Sequence, residues 1–172
     1  VQIRNETKSN NLSENQTKLD LPVERQRFQT RVHFSYNLTQ FITLKSRVDF
    51  GTFKEENIQI QKGISMYQDL IYRPKWIPFS FTTRFAIFDT DGYDVRYYHY
   101  ENDLLYNFSI PSYYNEGTRF YLNVRYRGIR NLMLEARYAQ TFWTNQSSFS
   151  SGHAEILGQL RSEIKFQLRY KF

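Results

Sequence analysis

The stretch Leu157 to Phe172, LGQLRSEIKFQLRYKF, alternates between apolar and polar residues almost without interruption. Apart from Gly158 and Ser162, every second position is apolar: Leu160, Ile164, Phe166, Leu168, Tyr170 and Phe172. A period of two places the apolar and the charged residues on opposite faces of a β-strand. With 16 residues the stretch is about three times the usual strand length and is long enough to cross a bilayer at a tilt. It predicts a barrel strand with lipid on one face and a wet lumen on the other.

The same alternation recurs along most of the chain. Six upstream segments show it: 24–36, 42–50, 64–73, 79–87, 119–127 and 132–142. No segment of comparable length carries an apolar stripe with a period of 3.6 residues, so essentially no helix is expected. The sequence therefore predicts an all-β fold, an antiparallel up-and-down transmembrane β-barrel with seven or eight long strands.

Residues 96–110 decide between seven and eight strands. Their even positions are largely apolar, which favours a spanning strand and gives eight, the smallest common membrane barrel. The tight links 37–40 and 73–78 would then lie outside, where longer loops are usual. If 96–110 does not span, both links become periplasmic and residues 89–117 form one long outer excursion that can fold into the lumen. The chain would then be part of a larger barrel.

The composition fits a barrel and excludes several kinds of site. Aromatic residues make up 18% of the chain, which suits strands and the aromatic girdles of membrane barrels. The absence of cysteine excludes disulfides, thiolate zinc sites and cysteine nucleophiles. Residues 1–22 are polar and lack periodicity, so we expect a loop or linker there and barrel strands over 23–172. Because Val1 is not preceded by a signal peptide, we expect a cleaved signal or a longer precursor.

Several stretches resemble the C-terminal end of long Bacteroidota proteins that carry a helix-hairpin-helix domain followed by an outer-membrane barrel. They are MYQDLIYRP (66–74), RFAIFDTDGYDVRYYHYENDLLYNFSIPSYY (84–114), RFYLNVRYRGIRNLMLEARYAQT (119–141) and SEIKFQLRYKF (162–172). The resemblance covers about residues 22–172, and its most distinctive part is FDTD-x-YD-x-R-x-Y-x-YEND. It implies the C-terminal part of a larger barrel in the bacterial outer membrane. The helix-hairpin-helix segment is not in this sequence, so the resemblance implies no nucleic-acid binding for it.

Basic residues are concentrated on the face that the alternation assigns to the lumen. The principal ones are Arg31, Arg47, Arg84, Arg125, Arg137, Arg161 and Arg169. One interpretation is an ion-paired plug that fills a narrow barrel. The other is an anion-preferring, porin-like pore, because rings of arginine favour phosphate-bearing solutes. The net charge of +6 is compatible with both, and also with contact to lipopolysaccharide phosphates.

Two features of the 89–103 region are candidate chemical sites. Asp89, Asp91 and Asp94 offer hard oxygen ligands for calcium, although D-x-D-G-x-D is an incomplete calcium loop, and capping of turns explains the same residues. His99 lies near Asp94, Glu101 and Asp103 in sequence, and such acids with a histidine could activate water in a barrel hydrolase. The alternative for His99 is a polar lumen or loop residue. No other cofactor is indicated.

The end of the chain also bears on biogenesis. Phe166, Leu168, Tyr170 and Phe172 resemble the terminal strand that the barrel-assembly machinery recognises by edge pairing. Together these patterns predict a non-enzymatic integral outer-membrane protein that acts as an anion-preferring channel or as a membrane anchor or scaffold. Two alternatives stay open. One is the hydrolase, and the other is a subunit of an outer-membrane complex that binds further subunits or the missing N-terminal part through its outer loops.

Overall fold

The computed structural model describes residues 1–11, 22–55, 59–145, 148–149 and 156–172. Its strands are β1 Gln2–Asn11, β2 Pro22–Asn37, β3 Ile42–Glu55, β4 Gln61–Tyr72, β5 Phe79–Thr90, β6 Tyr97–Tyr98, β7 Ser112–Tyr113, β8 Gly117–Ile129, β9 Leu132–Trp143, β10 Ser148–Phe149, β11 Ile156–Leu157 and β12 Leu160–Tyr170. The one other element in these ranges is a short 3-10 turn at Tyr93–Val95. Within the described residues there is no helix long and apolar enough to cross a membrane.

Eight of the strands form one antiparallel sheet in the order β1-β2-β3-β4-β5-β8-β9-β12. Strands that follow one another along the chain are neighbours in the sheet, apart from the two short sheets β6-β7 and β10-β11. The predicted all-β, antiparallel up-and-down fold is thereby confirmed. The sheet is open: β1 and β12 each have one strand neighbour and are not paired with each other.

The links between strands differ in length at the two ends of the sheet. The links 38–41, 73–78 and 130–131 are short and lie at one end. At the other end lie the strand ends that are joined through 56–60, which is also short, and through the longer links 12–21, 91–116 and 144–159. We call these the short-link end and the long-link end. This arrangement is the one expected if residues 96–110 do not span.

The prediction of a spanning strand at 96–110 is wrong. Only Tyr97–Tyr98 is in a strand, and it pairs with Ser112–Tyr113, so the chain turns back on itself. Residues 91–116, which we call the excursion, lie across the polar face of the sheet. The segment is extended and therefore alternates, but its polar side faces the sheet: His99 and Glu101 are fully buried, whereas Tyr98 and Tyr100 are about half exposed. Alternation detects an extended chain and does not show which partner each face contacts.

Two further boundaries differ from the prediction. Gln2–Asn11 was expected to be loop or linker but forms β1, paired with β2 from Gln2↔Arg31 to Asn11↔Pro22. Strand pairing uses backbone hydrogen bonds, so a polar segment can join a sheet without an apolar pattern. The remaining residues of the predicted linker, 12–21, lie outside the described residues. The terminal strand begins at Leu160 rather than at Leu157, because Gly158 adopts a φ of +125° that interrupts it.

The burial of the sheet is the reverse of that in a water-soluble sheet protein. The buried residues of the sheet include Asp49, Asp69, Arg84, Glu135 and Arg137, all at 5% exposure or less. The opposite face exposes large apolar side chains on β2, β3, β4, β5, β8, β9 and β12, such as Phe34 at 60% and Phe166 at 80%. A small apolar cluster, Ala86, Phe88, Tyr97, Tyr113 and Trp143, lies between the sheet and the excursion. The interface between the sheet and the excursion therefore combines polar contacts with this small apolar cluster.

Candidate functional site

Glu101 connects the excursion to the polar face of the sheet. Its Oε1 accepts hydrogen bonds from Arg119 Nε at 2.6 Å and from the Tyr113 hydroxyl at 2.8 Å. Its Oε2 accepts from Arg119 Nη2 at 2.8 Å and also from Arg137 Nη2. Burial alone would raise the pKa of Glu101, but the hydrogen bonds and positive charge of Arg119 and Arg137 hold it below its usual range. Glu101 is therefore an anion with two cationic partners in a site without solvent contact.

The residues that follow Glu101 are held by the same face. Asp103 accepts from Lys165 Nζ of β12 at 2.8 Å. The backbone carbonyl of Asn102 accepts from Asn123 Nδ2 at 2.7 Å and from Arg137. The Leu105 amide donates to Glu135 Oε2 at 3.2 Å. Side chains of β8, β9 and β12 thus fix the backbone of the excursion as well as its acids.

Further ion pairs lie within the sheet itself. Asp49 pairs with Arg31 at 2.8 Å and with Arg47 at 2.5 Å. Arg84 donates to both carboxylate oxygens of Asp69, at 2.6 and 2.8 Å, and so forms a bidentate ion pair. Arg125 pairs with Glu135 at 2.5 Å.

The structure thus gives a carboxylate partner to five of the seven predicted lumen arginines: Arg31, Arg47, Arg84, Arg125 and Arg137. Arg161 and Arg169, both on β12, have no carboxylate partner among the described residues. The paired arginines favour the ion-paired interpretation over most of the sheet, and the two unpaired ones lie on its edge strand.

His99 belongs to a different constellation from the one that its sequence neighbours indicate. Its Nε2 lies 2.9 Å from the Ser65 hydroxyl, and its Nδ1 lies 4.0 Å from Asp49 Oδ2, too far for a hydrogen bond. Asp94 is exposed and Glu101 is occupied by arginines, so neither forms the expected pair with His99. Sequence reasoning missed Ser65 because it is 34 residues away on β4.

This order of serine, histidine and aspartate resembles a hydrolytic triad only in outline. Ser65 and His99 have no exposed surface, and Asp49 is already paired with two arginines. Burial, with the positive charge of Arg47, lowers the pKa of His99 to about 3, so the ring is neutral at physiological pH. In this arrangement the histidine fills the interface beneath the excursion and bonds to Ser65 through Nε2, while its Nδ1 has no hydrogen-bond partner among the described residues.

The predicted calcium ligands stand apart from this interface. Asp91 accepts the backbone N–H of Lys62 on β4 at 2.8 Å, and Asp89 and Asp94 are exposed. No group of three or more metal-ligating side chains is present within the described residues. Calcium binding stays a prediction.

The predicted targeting residues lie at the exposed edge of the sheet. Phe166, Leu168 and Tyr170 project from the apolar face of β12, and each is at least half exposed. Phe172 follows the strand and contacts the ring of Tyr170 at 5.2 Å. Edge position and exposure are both compatible with recognition by a second strand.

The fold and the site together define a class of sheet: open, antiparallel, apolar on its exposed face and ion-paired on the face that a long link covers. Comparisons with protein-family models, with curated proteins and with solved structures found no match. The resemblance to the Bacteroidota proteins therefore stays a prediction, and any functional proposal depends on the geometry alone.

Acidification should weaken the contact between the excursion and the sheet through His99. The pKa of His99 is about 3 in the folded chain against about 6.5 unfolded, so the unfolded chain binds the extra proton between these values. This contribution to stability is complete above about pH 6.5 and falls as the pH decreases, by at most about 1.4 kcal/mol per pH unit. Urea unfolding of the detergent-folded chain at pH 5.0 to 6.5 measures how the free energy of unfolding changes with pH.

A His99→Gln variant is the control, because glutamine can still bond to Ser65 and does not titrate. In the variant, the free energy of unfolding should depend much less on pH, since pH 5.0 to 6.5 lies above the titration of ordinary carboxylates. Equal slopes for the two chains would contradict the assignment.

Proposed function

We propose that this chain is a wall of a bacterial outer-membrane β-barrel, without catalytic activity of its own, and that it acts as a membrane anchor or scaffold. The observation that carries this proposal is the reversed burial of the sheet. Large apolar side chains cover one face, and paired charges lie beneath the excursion on the other. In water such a face would be a very large exposed apolar patch, whereas in a bilayer it is the expected lipid contact.

Polar residues on the apolar face support this proposal, since several have partners within the face. Ser46 and Gln68 are cross-strand neighbours, and their side chains hydrogen-bond at 2.5 Å. The Gln68 amide also donates to the backbone carbonyls of Lys45 and Asp69. Thr83 donates to the Tyr121 carbonyl at 2.8 Å. Such internal pairing is what a non-polar solvent demands of polar groups.

Aromatic rings are concentrated at the short-link end of the apolar face. Phe79 lies 4.9 Å from Tyr126, Phe41 lies 4.7 Å from Trp76, and the Tyr72 and Phe81 rings are 6.3 Å apart. We assign this row to an interfacial girdle and the short links to the periplasmic side. The long links would then face outward, towards lipopolysaccharide, and β12 would be the strand that the barrel-assembly machinery recognises.

Lysine scanning of β12 tests the lipid assignment with a matched pair. Phe166→Lys places a charge on the apolar face and should destabilise the inserted state by about 2–4 kcal/mol, the cost near the middle of a bilayer. Gln167→Lys adds the same charge one residue later on the polar face, where Gln167 Nε2 already donates to the Leu105 carbonyl at 3.1 Å. The readout is the yield of urea-resistant protein that floats with phospholipid vesicles. Equal loss in both variants, or in neither, would contradict the proposal.

Whether the inward arginines are paired with acids distinguishes a membrane anchor from an anion channel. An anion-preferring pore needs unpaired cations along an open path. Five of the seven predicted lumen arginines are paired with acids, and the excursion covers Arg119 and Arg137 through Glu101. This favours the anchor or scaffold over the channel.

Conductance in planar bilayers should show whether the excursion and the paired arginines block ion flow. The wild-type protein should give no steady steps. Glu101→Gln leaves two buried arginines without their anion, a change worth about 3–5 kcal/mol, and should produce frequent or larger openings. Asp94→Asn makes the same chemical change at an exposed position of the excursion and should resemble the wild type. Steady anion-selective steps from the wild-type protein would instead establish the channel.

The excursion also bears on the size of the barrel. An eight-stranded barrel has an interior just wide enough for side chains. The excursion brings its own backbone and buried side chains, including Tyr97, Leu104 and Tyr113, onto the polar face. We therefore propose that β1 and β12 do not close on each other and that further strands complete a larger barrel.

Spin-label pairs that join Ile3 of β1 to Leu160, Ile164 or Leu168 of β12 measure this closure directly. Neighbouring strands lie about 4.8 Å apart, so closure of eight strands would give strong dipolar broadening for at least one pair. We expect no broadening in any of the three pairs, whereas Tyr138 with Ile164, which are neighbours in the sheet, should broaden strongly as the control. Broadening of a β1–β12 pair would show an eight-stranded barrel and contradict the proposal.

A further inference from the structure

A cavity of about 400 Å³ lies between the excursion and strands β9 and β12, towards the long-link end. Its volume is within the usual range of about 300–1,000 Å³ for small-molecule sites. Its lining includes Ser112, Ala139, Thr141, Trp143, Arg161 and Glu163. None of them takes part in the ion pairs that Glu101 makes.

The small side chain of Ala139 makes room for the cavity on the polar face of the sheet. Ala139 is the cross-strand neighbour of both Glu163 and Tyr121 on the polar face. Its methyl group leaves a space between two long side chains, where a larger residue would fill the face. Trp143 and Tyr114, whose rings are 6.0 Å apart, close one side of this space.

Among the described residues, the charges around the cavity leave one cation without a carboxylate partner. Arg119 is paired with Glu101, and Lys165 is paired with Asp103 and Glu163. Arg161 lies in the same cross-strand row as Thr141 and Arg119 but has no carboxylate partner within the described ranges. Its side chain is exposed, so the guanidinium is available to a ligand. The fork of N–H groups on arginine matches the oxygens of a carboxylate or a phosphate.

Hydroxyl groups add neutral donors beside this cation. The Thr141 oxygen accepts from Arg119 Nη1 at 2.6 Å, so its own proton remains available for a ligand. Ser112 contributes a second hydroxyl from the excursion. We propose that the cavity binds a small organic anion, a carboxylate or phosphate on a sugar-sized ring, with Arg161 as the residue that binds the oxyanion.

This proposal rests on the proposed function in one respect only, the side of the membrane from which the anion would enter the cavity. In a barrel wall the cavity would face the lumen near the outer side. Binding itself requires only that the excursion and the sheet are folded together, which detergent-refolded protein provides. The two proposals can therefore fail separately.

Tryptophan fluorescence tests the proposal, because Trp143 lines the cavity and the other tryptophan, Trp76, lies at the short-link end. In a Trp76→Phe background, glucose 6-phosphate and glucuronate are the phosphate and carboxylate probes, and glucose is the neutral control. At least one anion should give a saturable change that glucose does not. Arg161→Gln should weaken binding about ten- to a hundred-fold, the loss expected for one charge-assisted contact.

Arg169→Gln is the matched control, since it removes the same charge from the same face of β12 outside the cavity. It should leave the affinity within about two-fold, because exposed charges at a distance are screened by salt. Binding of one anion alone would support the proposal and identify the group that Arg161 binds. Equal binding of glucose, equal weakening by both variants, or no saturable change in protein with a β-sheet spectrum would overturn it. Saturable binding without insertion into vesicles would contradict the membrane proposal alone.

Discussion

The contact of Glu101 with Arg119 and Arg137 is the constraint on which the rest of the structure depends. A buried carboxylate is tolerated only with cationic partners and satisfied hydrogen bonds, and Glu101 has both. The contact brings the excursion onto the polar face and so buries the row of charges that the strands carry. Without it, a face rich in arginine would have to be solvated, and the chain between β5 and β8 would lack its principal attachment.

The same contact explains why the two faces of the sheet differ so strongly. Because side chains alternate along a strand, placing Arg119 and Arg137 inward fixes Phe120 and Tyr138 outward. A shift of one residue in register would bring charges to the outer face on both strands. Paired charges on one face and apolar side chains on the other thus follow from the same alternating pattern, and the proposed lipid contact is compatible with both.

The alternation was sufficient to predict seven of the main strands and the face to which each residue belongs, because period-two patterning reports the pleat directly. It could not find β1, since Gln2–Asn11 is polar and joins the sheet through its backbone. It misjudged 96–110, because an extended chain that packs on a polar surface alternates as a spanning strand does. The sequence also could not predict the grouping of Ser65, His99 and Asp49, because this grouping depends on the fold of the excursion and not on spacing in the sequence.

Spin-label accessibility along β12, measured residue by residue from Arg161 to Tyr170 in the reconstituted protein, tests whether the apolar face of the sheet lies against lipid. If it does, collisions with oxygen, which is concentrated in lipid, peak at Ile164, Phe166 and Leu168 and are low at Glu163, Lys165 and Gln167. Access to a water-soluble nickel complex should be low at the three apolar positions. High access of the nickel complex at these positions would show that the apolar face meets water and would contradict the lipid assignment.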